Sequence, residues 1–257
     1  KCNQDFILTG YFEQPIIHEH NQSATREKNN MKLRTILIFV GLVFLIAACA
    51  PTPQLRSDRL LQDNSFVADP VEGCELPCWR GITPGVTRWN DALNIIRDDT
   101  SLTSLQTRTD EATKQIGAAW AQANGDNCCQ MFSEDGQTVS FIVAQTTPRF
   151  RLGEVIEKHG EPSYIIGDTV SSDQALVSVY YPDVPMLIYV FVAGETGQIT
   201  DRSEVVGFAY LTADLMTELL STSNLHAWDG LGKTFNDYMQ SDFELTPVPT
   251  AEATPES

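Results

Sequence analysis

Basic residues are scarce in this chain. Its 257 residues include 17 Lys and Arg against 34 Asp and Glu, a formal net charge of -17. Such a balance repels phosphate backbones, and no run of Lys and Arg relieves it locally, so no nucleic-acid partner is expected. Histidines number four, and the chain has no Gly-x-Ser-x-Gly, no phosphate-cradling glycine loop and no His-Glu-x-x-His. With none of these catalytic signatures, the chain is read as non-enzymatic and without a cofactor. Long apolar stretches are equally few. The one sustained run, Ile36 to Ile46, covers 11 residues, where a spanning helix needs ~20. What the chain does have is 42% hydrophobic against 20% charged residues, enough for a packed core and too apolar for wholesale disorder.

Residues 1–30 show neither helical nor strand periodicity. At Met31 the character changes. The basic segment Met31-Lys32-Leu33-Arg34 leads into the apolar run and then into Ala47-Ala48-Cys49. Charged, apolar and small-residue regions in that order mark a secretory signal. Ile46-Ala47-Ala48-Cys49 resembles the lipobox of bacterial lipoproteins, in which a peptidase cuts before the Cys and its sulfur, and often its amine, is acylated. The resemblance implies lipidation of Cys49 and loss of a signal peptide at 31–48. It also implies a body held on the extracytoplasmic face of a bacterial membrane. Two or three acyl chains anchor stably where one does so marginally, at ~0.8 kcal/mol per buried methylene. On this reading residues 1–30 are an upstream extension, not a domain, and His18-Glu19-His20 is not a metal site. Removing 1–48 takes away five basic and four acidic residues, leaving 12 against 30 and a net charge of -18. A body so negative is expected to stand off an anionic bilayer.

Residues 49–72 carry Pro, Asp and Ser with little periodicity and read as a flexible tether. Thr246 to Ser257 is Pro/Thr/Glu-rich and reads as a disordered tail closing a C-terminal segment, 227–257. Between them a weak repeat appears. Arg88-Trp89 to Ile96 lines up with Arg151-Leu152 to His159, an offset of 63 residues (152 less 89). Trp89, Ala92, Leu93 and Ile96 follow the spacing of an amphipathic helix with Thr87 as N-cap. Leu152, Val155 and Ile156 repeat the stripe, and Gly160 followed by Pro162 ends it. Strand-like runs follow each helix: 115–121, 128–132 and 138–144, then 164–166, 175–181, 186–192 and 205–211, with a turn at 133–136. Residues 212–220 read as a closing helix. The fold class is therefore α+β, with two tandem helix-plus-antiparallel-sheet repeats at 73–147 and 148–226. Helices on one face would leave the other sheet face open.

The Gly-Val-Thr, short helix and antiparallel meander pattern is similar to the BamE (SmpA/OmlA) lipoproteins, with Leu152 to Pro162 as its best-matching segment. Its tandem form resembles the β-lactamase-inhibitor-protein fold. The lipobox together with Pro77-Cys78-Trp79-x-Gly81-Ile82-x-Pro84-Gly85 also resembles a group of bacterial lipoproteins of unassigned function. Cys74-x-x-x-Cys78-Trp79 is not part of the BamE pattern.

Four cysteines lie in the body: Cys74, Cys78, Cys128 and Cys129. An even count in an exported domain implies disulfides. Neighbours on a strand project to opposite faces, which predicts bridges from Cys74 and Cys78 to Cys128 and Cys129. Loops of about 50 residues closed this way would stabilise by roughly 4 kcal/mol each. The alternative is chemical: soft thiolates of Cys74 and Cys78 could bind Cu(I) or exchange electrons. Trp79, Trp89, Trp120 and Trp228 are candidates for an aromatic surface or for core. His159 suits the helix C-terminus it occupies, and Glu154, Glu157 and Glu161 suit a solvated helix face. The expected function is protein binding or scaffolding by a lipid-anchored body, with an envelope protein as partner.

Overall fold

A computed structural model of the chain describes residues 55–240 apart from 112 and 223. The expected extension 1–30 and signal 31–48, Cys49, the first part of the expected tether and the Pro/Thr/Glu tail lie outside the described residues.

Helix α1 (Trp89–Asp98) forms where the stripe predicts, burying Trp89, Ala92, Leu93 and Ile96. Its N-cap is Arg88, not Thr87, and no side chain caps it. The Thr87 hydroxyl accepts from the Thr83 amide at 2.9 Å instead, closing the preceding turn. The Trp89 amide, one of the four that a helix start leaves unpaired, donates to the Gln137 carbonyl at 2.7 Å. Helix α2 (Leu152–His159) begins with the Glu154 carboxylate accepting from the Arg151 amide at 2.8 Å. It ends at Gly160, whose φ of 80° suits glycine and whose amide bonds Ile156.

Among the described residues nine strands form a single antiparallel sheet: β1 (Leu102–Thr109), β2 (Ile116–Gln122), β3 (Asn127–Ser133), β4 (Phe141–Gln145), β5 (Tyr164–Ser171), β6 (Gln174–Tyr181), β7 (Met186–Val192), β8 (Val205–Leu211) and β9 (His226–Ala227). Their order is β1-β2-β3-β4-β8-β7-β6-β5-β9. Few helices and one antiparallel sheet make a mixed fold of helices and strands. The expected boundary at 147/148 does not divide the core. β4 pairs with β8 from Phe141↔Leu211 to Gln145↔Gly207, and one apolar cluster includes residues from both sides of that boundary, from Trp120 and Ile142 to Val179 and Ile188.

Two expectations need correction. The tether does not extend to residue 72, because Leu60, Leu61 and Phe66 are buried in the core. The Leu61 amide donates to Gln145 and its carbonyl accepts from Thr147, so this irregular segment docks at the end of β4. Its backbone is held by tertiary bonds, which leave no period in the sequence. Secondly, the helices do not share one face. Helix α3 (Ala213–Thr222) sets Met216 against Tyr180, Leu187, Ala209 and Leu211, on the face opposite α1 and α2. The C-terminal segment joins the body through β9 and helix α4 (Phe235–Gln240). The Phe235 ring lies on β5 at Gly167, where a Cβ would come within 2.2 Å of it.

Candidate functional site

The structure places each body cysteine in a disulfide, but not in the expected pairing. Cys74 bonds Cys78 with Cα atoms 5.1 Å apart, and Cys128 bonds Cys129. Two local features cause this. Residues 71–82 fold into successive tight turns, bridged at Val71↔Cys74 and Trp79↔Ile82, with positive φ at Gly73, Arg80 and Gly81. These turns bring Cys74 and Cys78 within bonding range of each other. On β3 the strand carries a bulge: Trp120 faces Cys129 while its neighbour Ala121 faces Asn127. Cys128 is the extra residue, strict alternation fails there, and both sulfurs turn inward at 2% exposure. The stapling is correspondingly smaller. A five-residue loop gives about 2 kcal/mol in the chain-entropy relation, and adjacent cysteines close no loop of that kind.

Around this sulfur-bearing end lies a polar network that periodicity could not reveal. Trp79, fully buried, donates its indole N–H to Asp63 Oδ2 at 2.9 Å. Arg80 Nε is 3.5 Å from the same oxygen. The Arg80 guanidinium also pairs with Asp99, donates to Ser101 Oγ and lies 5.0 Å from the Trp79 ring centroid. Burial pushes the Asp99 carboxyl upward, yet hydrogen bonds from Ser101 and Arg80 outweigh it and hold the group below the usual carboxylate range. Arg80 therefore ties the 55–88 segment to the start of β1 through Asp99 and Ser101, while Asp63 braces it from within the segment.

The tryptophans do not form a common surface. Trp79 and Trp120 lie against each other in the core with ring centroids 5.7 Å apart, and Trp89 is buried on α1. Trp228 stacks on Tyr238 and bonds Glu161 at the far edge of the sheet. His159 Nε2 meets the Phe66 carbonyl at 2.7 Å, fastening the N-terminal segment to α2. His226 sits on β9, where burial lowers its pKa. Glu154 serves the start of α2. Among the described residues no three His, Cys, Asp or Glu side chains converge as a metal site would require. No described helix is long and apolar enough to cross a membrane.

Comparison with models of known families, with curated proteins and with solved structures finds no match to this chain.

Proposed function

We propose that the chain is a bacterial lipoprotein, anchored through Cys49, whose folded body is a non-enzymatic binding or scaffolding module on the extracytoplasmic face. The observation that carries this reading is the coupling of a lipobox to a body whose four cysteines are all oxidised. Disulfides persist in exported compartments, the same destination that the signal names. Metabolic labelling with a clickable fatty acid tests the anchor: label retained in Cys49→Ser contradicts it. For the partner, crosslinking in the native envelope followed by mass spectrometry should recover a specific envelope protein. Recovery of none, together with turnover of a substrate by the purified chain, contradicts the binding role.

The body is further read as two helix-plus-four-strand repeats, related to the tandem arrangement that the sequence resembles. Supporting this are the order helix then four strands, found twice, and the joining of the two sets through their last strands, β4 and β8. A second functional reading, a thiol-based copper or redox protein, is favoured by one observation. The Cys74–Cys78 bridge joins residues only four apart in sequence, outside the strands of the sheet. Under that reading Cys78→Ser abolishes copper binding or thiol exchange and leaves the fold intact.

A further inference from the structure

Basic residues that the sequence disperses are gathered by the fold at one place. A shallow cleft of about 260 Å³ is lined by Arg56, Arg151 and Arg202 with Phe191 and Ser203, and Glu204 is the one acidic side chain in its lining. Glu204 organises it. Its carboxylate meets Arg56 Nε at 2.6 Å and an Arg151 guanidinium nitrogen at 2.9 Å, while Arg56 lies 4.8 Å from the Phe191 ring centroid. Arg151 is fixed further by a bond to the Arg202 carbonyl at 3.3 Å. Arg202 itself is exposed. Three guanidiniums against one carboxylate leave the lining at +2 in a chain of net charge -17. One carboxylate and one aromatic ring thus hold two planar donors in fixed positions with their outer faces half open to solvent. Such preorganised guanidiniums suit the bidentate recognition of phosphate.

Position decides which phosphate. Arg56 is seven residues beyond Cys49 (56 less 49), and an extended chain of that length spans no more than ~25 Å. We propose that this cleft takes the phosphate of a membrane phospholipid headgroup, a second attachment that fixes how an otherwise repelled, acidic body faces its bilayer. The proposal rests on the Cys49 anchor for its choice of phosphate, while the cleft's affinity for the group is independent of acylation. The test therefore uses the full chain with Cys49→Ala in neutral maltoside micelles, titrated with dihexanoyl-phosphatidylglycerol and followed by the Nε–H resonances of the three arginines.

Binding is expected to shift those resonances. Each arginine contributes roughly fivefold near an anionic surface, so Arg151→Gln and Arg202→Gln should each weaken binding about fivefold, and added salt should weaken it too. Arg202→Gln, at an exposed side chain, keeps the test valid should Arg151→Gln disturb the start of α2. Equal binding by wild type and both variants overturns the proposal. Binding of inorganic phosphate but not of the lipid assigns the cleft to a free anion and overturns membrane docking. Tighter binding of a glutamate-rich peptide than of the lipid overturns it in favour of a protein ligand. Loss of fatty-acid label in Cys49→Ser, read separately, reports on the anchor alone.

Discussion

The first four strands and the next four are stabilised in different ways. In the later set β8 is buried at all seven positions and β7 at five of seven. Helix α3 covers one face there, while α2, α4 and the 60–66 segment contribute to the core on the other. Strands covered on both sides become continuous apolar runs, and this set needs no cysteine. In the earlier set β1 exposes six of its eight residues. The opposite face of β3 and β4 carries a half-buried Phe132–Phe141 stack at 5.3 Å. That set holds Cys128 and Cys129 in β3, with Cys74–Cys78 in the loop whose Trp79 packs on Trp120 of β2. Where apolar burial is thinner, short bridges and charged networks fix the chain.

The largest effect is expected in the doubly covered set. Phe208, fully buried and packed between Phe66 and Tyr210, should cost about 3–5 kcal/mol on truncation to Ala, read from urea unfolding. A loss under about 1 kcal/mol would show that β8 is not the core of the molecule. Next comes Asp63→Ala in the other set. It strips Trp79 and Arg80 of a shared acceptor whose side chain is only 7% exposed. A cost of about 2–3 kcal/mol is expected, below that of a fully buried pair because Arg80 keeps Asp99. Unfolding in the presence of a thiol reductant should lower stability by about 2 kcal/mol, where two 50-residue bridges would cost about 8.

The smallest effect is a pH dependence. Asp135 accepts from the Thr138 and Gln137 amides, which hold its carboxyl below the usual range despite some burial. Asp99 is lowered as well. A carboxyl lowered by folding contributes stability above its unfolded pKa near 3.8 and loses it as the pH falls through the folded value. Stability should therefore decline in strong acid, and less steeply in Asp135→Asn. An identical acid profile in that variant would remove Asp135 from the account.

Much of this architecture was legible because burial leaves a period. The stripes at Trp89–Ile96 and Leu152–Ile156 gave both longer core helices on their shared face, and β-branched and aromatic runs punctuated by Gly and Asp gave seven of the nine strands. β1 was missed because Thr103, Ser104, Gln106, Thr107 and Arg108 carry no apolar alternation on an edge with a bulge. Leu60, Leu61 and Phe66 were missed as core because each anchors singly within an irregular segment. The cysteines were legible as oxidised, but their partners were not. Pairing followed from alternation along β3, and one extra residue opposite Trp120 broke that rule. The Asp63–Arg80–Asp99 network and the Arg56–Glu204–Arg151 cleft join residues far apart in sequence, and nothing local announces them.

The contrast between the two sets rests on short-range sulfur bonds, and non-reducing peptide mapping tests it directly. Trypsin can cut after Arg80, Arg88, Arg97, Arg108 and Lys114, all between the two cysteine pairs. Local pairing predicts two separate peptides, one holding Cys74 and Cys78 and the other Cys128 and Cys129, each lighter by two hydrogens than its reduced form. A single joined species that falls into those two peptides only on reduction would show long cross-bridges and contradict the account.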